Sequence, residues 1–245
     1  MKKIYLLALM AFVFFSCSSG SDNEKEALKP INDVTINYGQ EWFVNEVGDK
    51  TVSFDNDFIA SFKEGKLFGD HVGKTSARTS DGRIFNVKVE STVTLIKDME
   101  IDWNKDEEWY VKNSPFGVLQ SNGNYNQPVY SYQAANTKIV YAYTFDPGSR
   151  KLKGAGLGVP VAYASQLGKY LIERFLPIST ESISDNIFAG GFNAYDPNKA
   201  TMVFALNLLG TSAYQVTIIN PKDAKSSGTR SKENELQTVI SNPFK

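Results

Sequence analysis

The sequence predicts an all-β sandwich followed by an α+β domain that contains an antiparallel sheet and one long amphipathic helix. Over residues 31–94, short segments of alternating apolar and polar residues recur between turn signals, at the spacing of a β-sandwich. Over residues 95–222, strand segments flank the stretch 161–176, whose apolar residues recur with the period of an α-helix. These patterns predict two domains, followed by a polar, mobile tail over residues 223–245.

The first 16 residues have the composition of a secretory signal peptide. Lys2 and Lys3 precede an apolar run of 12 residues, fewer than the roughly 20 that a membrane-spanning helix needs. The run ends at Cys17, the only cysteine, and Phe14-Phe15-Ser16-Cys17 resembles a bacterial lipobox. The resemblance implies that Cys17 is lipidated and becomes the mature N-terminus. The alternative is a free thiol after an ordinary cleavage site, which could not form a disulfide within this chain.

We predict that residues 17–30 form a flexible tether. The segment is rich in serine and charged residues, and such a segment has too little apolar surface to bury and is expected to be disordered. Asp22, Glu24 and Glu26 in this segment resemble the acidic signals that direct Bacteroidetes lipoproteins to the cell surface. A merely soluble linker is the alternative. We therefore expect a lipid-anchored protein of the cell envelope, in the outer membrane, on its surface or its periplasmic face.

The predicted sandwich is most regular near its end. Residues 82–90 alternate strictly, so that Phe85, Val87 and Val89 fall on one side of a half-buried strand and polar residues fall on the other. Asp81-Gly82 immediately before them is a tight hairpin signal. Further turn signals are Glu64-Gly65 and Gly73.

Residues 52–90 carry a more specific pattern. The motifs are Ile59-Ala60-Ser61-Phe62, Gly65, Gly73-Lys74-Thr75 and Asp81-Gly82, with Phe54 preceding them and an opening strand over residues 36–40. In this order they resemble a bacterial Ig-like group 2 domain. The resemblance covers about a quarter of the chain. It implies an Ig-like sandwich over residues 31–94 that serves as a spacer or adhesive module, with no catalytic residues.

The predicted second domain, residues 95–222, resembles no characterised family, although its layout resembles uncharacterised domains of Bacteroidetes lipoproteins. It begins with a predicted strand that ends at Trp103, and Asn104 is the expected N-cap of a short helix with an acidic first turn. A hairpin is expected next, with strands over 138–146 and 151–159 joined by a turn at Pro147-Gly148. Bulge or turn glycines are expected at Gly154, Gly156 and Gly158.

The long helix follows the hairpin. Its apolar stripe consists of Tyr163, Leu167, Tyr170, Leu171 and Phe175, and its polar side consists of Gln166, Lys169 and Glu173. We expect the stripe to cover the sheet. Three more strands are predicted within residues 186–195, 200–209 and 213–220, with a turn at Asp196-Pro197-Asn198.

Several classes of enzyme depend on side chains that this chain hardly has. His71 is the only histidine, and its Gly-Asp-His-Val-Gly context predicts a surface loop, so histidine-based zinc sites and triads are not expected. Lipidation of Cys17 would remove thiol nucleophiles. We expect no cofactor and no metal.

Paired carboxylates are the remaining catalytic option. Asp106, Glu107 and Glu108 are adjacent on a helix and point in different directions, so we interpret them as a solvated first turn. Asp102 and Asp146, or either of them with Glu173, would have to converge in the fold.

Exposed aromatic residues are the better candidates for a binding site. The segment around residues 121–133 is dense in asparagine, glutamine and tyrosine, whose side chains stack on sugars and hydrogen-bond to them. The candidate ligand-binding residues are Trp109, Tyr110, Tyr125, Tyr130 and Tyr132. The alternative is that Tyr130 and Tyr132, on one strand face, belong to the core.

The charge of the chain narrows the choice of partners. Without its first 16 residues it carries 24 basic and 27 acidic side chains, a net charge of −3, so we expect no nucleic-acid partner. The sequence favours a non-catalytic, lipid-anchored monomer that binds a glycan or an envelope protein through its second domain. The alternative is a carboxylate-dependent hydrolase that acts on polysaccharide.

Overall fold

The computed structural model describes residues 28–177, 187–195, 201–207 and 212–220. The predicted signal peptide, Cys17, the tether up to residue 27, the Asp196-Pro197-Asn198 turn and the tail from residue 223 lie outside these residues. The described chain is mainly β-strand with two short α-helices, which confirms the prediction of a β-rich fold. The finer division into an Ig-like sandwich and an α+β domain stays a prediction.

Seven strands form two sheets in the N-terminal part of the described chain. A four-stranded sheet has the order β1-β7-β6-β3, and a three-stranded sheet has the order β2-β5-β4. The pair β1–β7 is parallel, and the other pairs are antiparallel. The strands are β1 (Val34–Asn37), β2 (Glu41–Phe43), β3 (Val52–Phe54), β4 (Ala60–Lys63), β5 (Lys66–Gly69), β6 (Gly73–Thr79) and β7 (Ile84–Glu90).

Both of these sheets contribute to one hydrophobic core. Phe85, Val87 and Val89 of β7 are buried while the residues between them are exposed, so the alternation predicted for this strand is confirmed. Leu67 of the three-stranded sheet packs in the same cluster. Each such side chain stabilises the fold by about 2 kcal/mol when it leaves water.

The chain enters these sheets at one end, which we call the tether end. Arg83 Nη1 donates there to the carbonyl oxygens of Lys29, at 3.1 Å, and of Glu46, at 2.8 Å. Because β1 and β7 both start at this end and run in parallel, their last residues lie at the opposite end, which we call the junction end. The tether end comprises residues 28–29, 42–50, 63–66 and 80–84.

Eight further strands form one antiparallel sheet in the order β12-β13-β14-β15-β11-β10-β9-β8. The predicted hairpin and the three later strands are all present. The strands are β8 (Gln120–Ser121), β9 (Val129–Gln133), β10 (Val140–Phe145), β11 (Leu152–Pro160), β12 (Leu176–Pro177), β13 (Ile187–Phe192), β14 (Met202–Asn207) and β15 (Ala213–Ile219). The helices are α1 (Glu107–Asn113), a 3₁₀ helix (Val161–Tyr163) and α2 (Ala164–Ile172).

The predicted apolar stripe of α2 is confirmed. Leu167 and Tyr170 are buried in the core beneath the sheet, and the other members of the stripe are half-buried against it. The α-helix has nine residues and is shorter than predicted, because a 3₁₀ turn replaces its start. Neither α-helix of the described residues is long and apolar enough to cross a bilayer.

Three local predictions for this part are wrong in whole or in part. Residues 95–103 form no strand, because Ile96 and Met99 pack into the core from an irregular segment that has no ladder partner. The N-cap of α1 is Asp106 and not Asn104, since Asp106 Oδ1 accepts a hydrogen bond from the backbone N of Trp109 at 2.9 Å. Gly156 and Gly158 are buried in the regular part of β11, where they pair with residues of β10 and β15. Gly154 adjoins the register shift between β10 and β11, so for this glycine the predicted bulge is consistent with the pairing.

The two parts meet at the junction end through Glu173, which was expected on the exposed side of α2 and is instead only 2% exposed. Its carboxylate accepts hydrogen bonds from the hydroxyls of Ser91 and Thr92 and, at 3.2 Å, from the backbone N of Thr92. Its carbonyl oxygen accepts from the backbone N of Val72 at 2.8 Å. Glu173 therefore binds two segments of the N-terminal part: the residue before β6 and the residues that follow β7.

Arg174 completes this contact. Its Nη1 lies 3.3 Å from Glu173 Oε2, its Nε donates to Asp98 at 2.5 Å, and its guanidinium lies 3.9 Å from the ring centroid of Tyr170. Burial would raise the pKa of Glu173, but the hydrogen bonds from Ser91 and Thr92 and the charge of Arg174 hold that pKa below its ordinary value.

His71 also lies at the junction end, and the prediction that it is a surface loop residue is wrong. Its ring stacks on Phe58 with 3.7 Å between the centroids, and it is 9% exposed. The Nδ1 atom lies 2.7 Å from the carbonyl oxygen of Phe58, to which it donates as the protonated ring nitrogen. Phe58 in turn contacts the edge of the Tyr195 ring from the second part. The histidine therefore packs beneath the contact between the two parts.

Replacing Glu173 by alanine should lower the free energy of unfolding by about 3 kcal/mol at neutral pH, because Arg174 loses its buried partner. Since the pKa of Glu173 lies below its ordinary value of 4.5, the carboxylate stabilises the fold above that pH, and this contribution disappears as the pH falls through the folded pKa. Urea titrations across this range test the prediction. Glu108→Ala, at an exposed position of α1, is the control and should change little; an equal loss in both variants contradicts the prediction.

Candidate functional site

The most exposed aromatic side chain among the candidate residues is Tyr125, at the tip of the loop that joins β8 and β9. Its side chain is 80% exposed. The loop itself is tightly held, because Asn124 Oδ1 accepts from the backbone N of Asn126 and of Gln127, each at 3.0 Å. Gly123 is required here, since a Cβ at this position would lie 2.1 Å from the carbonyl oxygen of Gln127. A well-ordered loop therefore presents the ring to solvent.

Arg150 lies beside this ring and comes from the turn between β10 and β11. Its guanidinium carbon is 5.8 Å from the centroid of Tyr125, within the range of a cation–π contact. Asp146 organises the turn, because its Oδ1 accepts from the backbone N of Gly148 at 3.1 Å and of Ser149 at 2.7 Å. The hydrogen bonds from Ser149 lower the pKa of Asp146. The turn is thus fixed by an ionised carboxylate.

Glu107, in the first turn of α1, anchors Arg150. Its Oε2 lies 2.5 Å from Arg150 Nη2, and its Oε1 accepts a hydrogen bond from the hydroxyl of Tyr130 at 2.6 Å. The backbone N of Glu107 donates to the carbonyl oxygen of Arg150 at 3.0 Å. Tyr125, Tyr130, Glu107 and Arg150, which we call the Tyr125 patch, therefore connect a loop, a strand, a helix and a turn.

The electrostatics of the patch favour a ligand with hydrogen-bond acceptors. The hydrogen bond to Glu107, together with burial, raises the pKa of Tyr130 and keeps its phenol protonated. Arg150 Nη1 is enclosed and has no hydrogen-bond partner in the described part of the chain. This enclosed nitrogen does not face solvent, but the Arg150 side chain as a whole is 37% exposed. Its positive charge beside the exposed ring therefore suits a ligand that brings oxygen atoms next to an apolar face.

The other three aromatic candidates lie elsewhere. Tyr110 is 1% exposed and packs against Tyr143 and Phe145, so its ring belongs to the core. Trp109 is half-buried with its ring against Tyr110 and beneath the Lys105 ammonium. Tyr132 is half-buried and stacks on Phe116. The structure thus brings Tyr125 and Tyr130 together through two charged residues and leaves the other three outside the patch.

Sequence reasoning did not identify Arg150 as a site residue, and it interpreted Glu107 as a solvated helix start. Arg150 follows the predicted Pro147-Gly148 turn, but the contact with Tyr125 joins residues that are 25 positions apart. No local pattern reports such a contact. The sequence indicated only that Arg150 follows a turn after a strand that carries Tyr141 and Tyr143.

The carboxylates that the sequence suggested for a hydrolase do not converge on one another. Asp102 Oδ1 accepts from the backbone N of Asn104 at 3.0 Å, Asp146 organises its own turn, and Glu173 is paired at the junction end. No group of three or more histidine, cysteine, aspartate or glutamate side chains in the described residues is arranged to hold a metal ion. Each of these three carboxylates has a structural role in its own turn or ion pair.

Comparison of the chain with protein-family models and with curated proteins gives no match.

Truncation to alanine should separate the core tyrosine from the surface tyrosine. Tyr110→Ala should lower the free energy of unfolding by about 3–5 kcal/mol, because it leaves a cavity among packed rings. Tyr125→Ala should change it by less than about 0.5 kcal/mol. Chemical denaturation of the two variants measures both values. If Tyr125→Ala is as costly as Tyr110→Ala, Tyr125 is a structural residue and the Tyr125 patch loses its basis.

Proposed function

We propose that this chain is a non-catalytic, lipid-anchored protein of the cell envelope that binds a glycan through the Tyr125 patch. In this proposal Cys17 carries the lipid in the outer membrane, and residues 31–94 form an Ig-like spacer. A protein partner at the same patch is the other ligand class that the exposed ring would suit, and the binding experiment distinguishes the two. The proposal assigns no cofactor and no catalytic residue.

The observation that carries the proposal is the geometry of Tyr125 and Arg150. An exposed ring offers an apolar platform for the C–H face of a sugar, and the guanidinium beside it offers donors to the hydroxyl or carboxyl oxygens at the sugar rim. Both residues lie in hydrogen-bonded turns, so little backbone entropy is lost on binding. Loops on a rigid scaffold are the usual place for such recognition.

The topology of the N-terminal sheets supports the role of a spacer. The chain enters at the tether end through Lys29, and the contacts of Glu173 lie at the junction end. A module held at opposite ends by its tether and by its neighbour moves that neighbour away from the anchor. The two sheets that share one core and the parallel β1–β7 pair are compatible with the proposed Ig-like sandwich.

A carboxylate-dependent hydrolase remains the rival class, and the geometry favours it less. The mechanism needs two carboxyl groups that face each other across a sugar. Glu107, the carboxylate of the patch, is paired with Arg150 and accepts from Tyr130, so it anchors these two side chains and faces no second carboxyl group in the patch.

Replacing Tyr125 by alanine should weaken glycan binding at least tenfold, because the stacking platform is lost while the fold is kept. Binding is measured on a glycan array and then by titration calorimetry with the best ligand. Val118→Ser, at another highly exposed position of the same part, is the matched control and should bind as the unmodified chain does. If no glycan binds but an envelope protein is captured in a Tyr125-dependent manner, the ligand class is protein; if neither occurs, the patch is not a binding site.

Replacing Cys17 by alanine should release the protein from the membrane fraction, because the lipid is then never attached. Fractionation of cells followed by a high-salt wash measures the release, and intact mass spectrometry of the unmodified protein detects the lipid. A Cys17→Ala variant that still sediments with washed membranes would contradict lipid anchoring.

A further inference from the structure

Four large apolar side chains are more than half exposed in the N-terminal part, and all four lie at the tether end. They are Leu28, Trp42, Phe43 and Ile84. Among residues 30–90 of the described chain, no other large apolar residue reaches this exposure. A random scatter of surface apolar residues would reach both ends of the sheets, so the restriction to one end needs a physical reason.

The strand register explains why Trp42, Phe43 and Ile84 lie at the tether end. Phe43 is the last residue of β2 and pairs with Lys66, which begins β5, and Glu46 just beyond it is joined to the entering chain by Arg83. Ile84 is the first residue of β7 and lies next to that same Arg83. Trp42 directly precedes Phe43 in β2, which is an edge strand. These side chains therefore surround the point where the chain enters.

The junction end has a different surface. Phe58 and His71 are buried there, and the contacts of Glu173 and Tyr195 cover it with the second part of the chain. One end of the N-terminal sheets is thus satisfied by a neighbour within the chain, while the other end exposes aromatic and aliphatic groups.

The charged groups at the tether end suit an interface between water and lipid. The Lys66 ammonium lies 4.9 Å from the centroid of Phe43 and pairs with Glu41, so its stem covers the ring while its head stays polar. Lys29 and Lys63 have no ion pair among the described residues. The tether end has five basic residues and four acidic ones, so attraction to anionic lipid is not the driving force. The acidic residues are Glu46, Asp49, Glu64 and Asp81.

The length of the tether decides which surface this end meets. Only 10 residues, 18–27, separate Cys17 from Leu28. If these residues act as the flexible tether that the sequence predicts, a chain of that length would span about 17 Å on average. A lipid on Cys17 would then keep the tether end within reach of the headgroups. At the millimolar effective concentration that such a tether imposes, even a weak apolar contact is populated.

We infer that the tether end is a membrane-docking surface, whose occupant is the interfacial region of the phospholipid bilayer that holds the anchor. Trp42 and Phe43 insert at the headgroup level, with Leu28 and Ile84 beside them, as aromatic rings do at membrane interfaces. Docking would make the N-terminal sheets stand on the membrane with the second part of the chain at the end away from it. This inference rests on the lipid anchor of the proposed function and adds a second, weaker membrane contact to it.

Brominated phosphatidylcholine provides the test, because Trp42 is its own reporter. The full-length lipidated protein is reconstituted into phosphatidylcholine vesicles with and without bromine on the upper part of the acyl chains. The chain has three tryptophans, and Trp103 and Trp109 are partly buried against the second core. We expect brominated lipid to quench part of the emission, and Trp42→Phe to abolish that quenching. Quenching that persists in Trp42→Phe, or no quenching at all, would overturn the inference.

A second pair of variants keeps Trp42 as the reporter. Phe43→Ser combined with Ile84→Ser should reduce the quenching and shift the emission of Trp42 to longer wavelength, whereas the control Val118→Ser should not. Melting curves of all variants should coincide, because the replaced side chains are exposed. If mass spectrometry finds no lipid on Cys17, the anchoring proposal fails and this inference fails with it. If the lipid is present and Trp42 is not quenched, the docking surface alone is wrong.

Discussion

The buried carboxylate of Glu173 is the contact on which the arrangement of the two parts depends. A carboxylate withdrawn from water is costly unless it is fully hydrogen-bonded and paired, and here Ser91, Thr92 and Arg174 supply those partners. Ser91 and Thr92 belong to the chain that leaves β7, whereas Glu173 and Arg174 end α2. Separating the two parts would remove the hydrogen bonds of Ser91 and Thr92 from the Glu173 carboxylate, so the contact favours one relative placement.

Because the junction is fixed, the two ends of the N-terminal sheets have different roles. The N-terminal sheets carry the second part at one end and receive the chain at the other. In the N-terminal part, the large apolar side chains that are more than half exposed lie at the tether end, whereas Phe58 and His71 are enclosed at the junction end. The Tyr125 patch belongs to the eight-stranded sheet and its helix α1, so a rigid junction relates its position to that of the tether.

Features that depend on local periodicity were predictable from the sequence. The alternation of β7 and the apolar stripe of α2 follow from which side of an element faces a core, and neighbouring residues are enough to show this. The strands of the hairpin around Pro147-Gly148 follow for the same reason. Much of the β-rich character of the fold was therefore accessible from the sequence.

Features that depend on distant contacts were not predictable. Glu173 has a polar side chain on a helix and is buried only because Ser91 and Thr92 meet it from more than 80 positions away. His71 sits in a glycine-rich turn and is buried because Phe58 stacks on it. Of the five aromatic candidates, local composition could not separate Tyr110, enclosed by Tyr143 of β10, from Tyr125, which no core residue covers.

The energetics of the Glu107–Arg150 pair support the proposal that the Tyr125 patch serves recognition. Arg150 is about a third exposed, and a partly exposed ion pair contributes only about 0–1 kcal/mol. Arg150 also has a φ of 58°, a left-handed conformation that costs a non-glycine residue about 1 kcal/mol. Glu64 and Lys138 share this conformation in their own turns, so the backbone alone indicates only a turn. What distinguishes Arg150 is its side chain, which Glu107 holds beside the exposed ring of Tyr125. A backbone cost without a matching gain in stability, next to an exposed aromatic ring, supports the proposal that the Tyr125 patch binds a ligand.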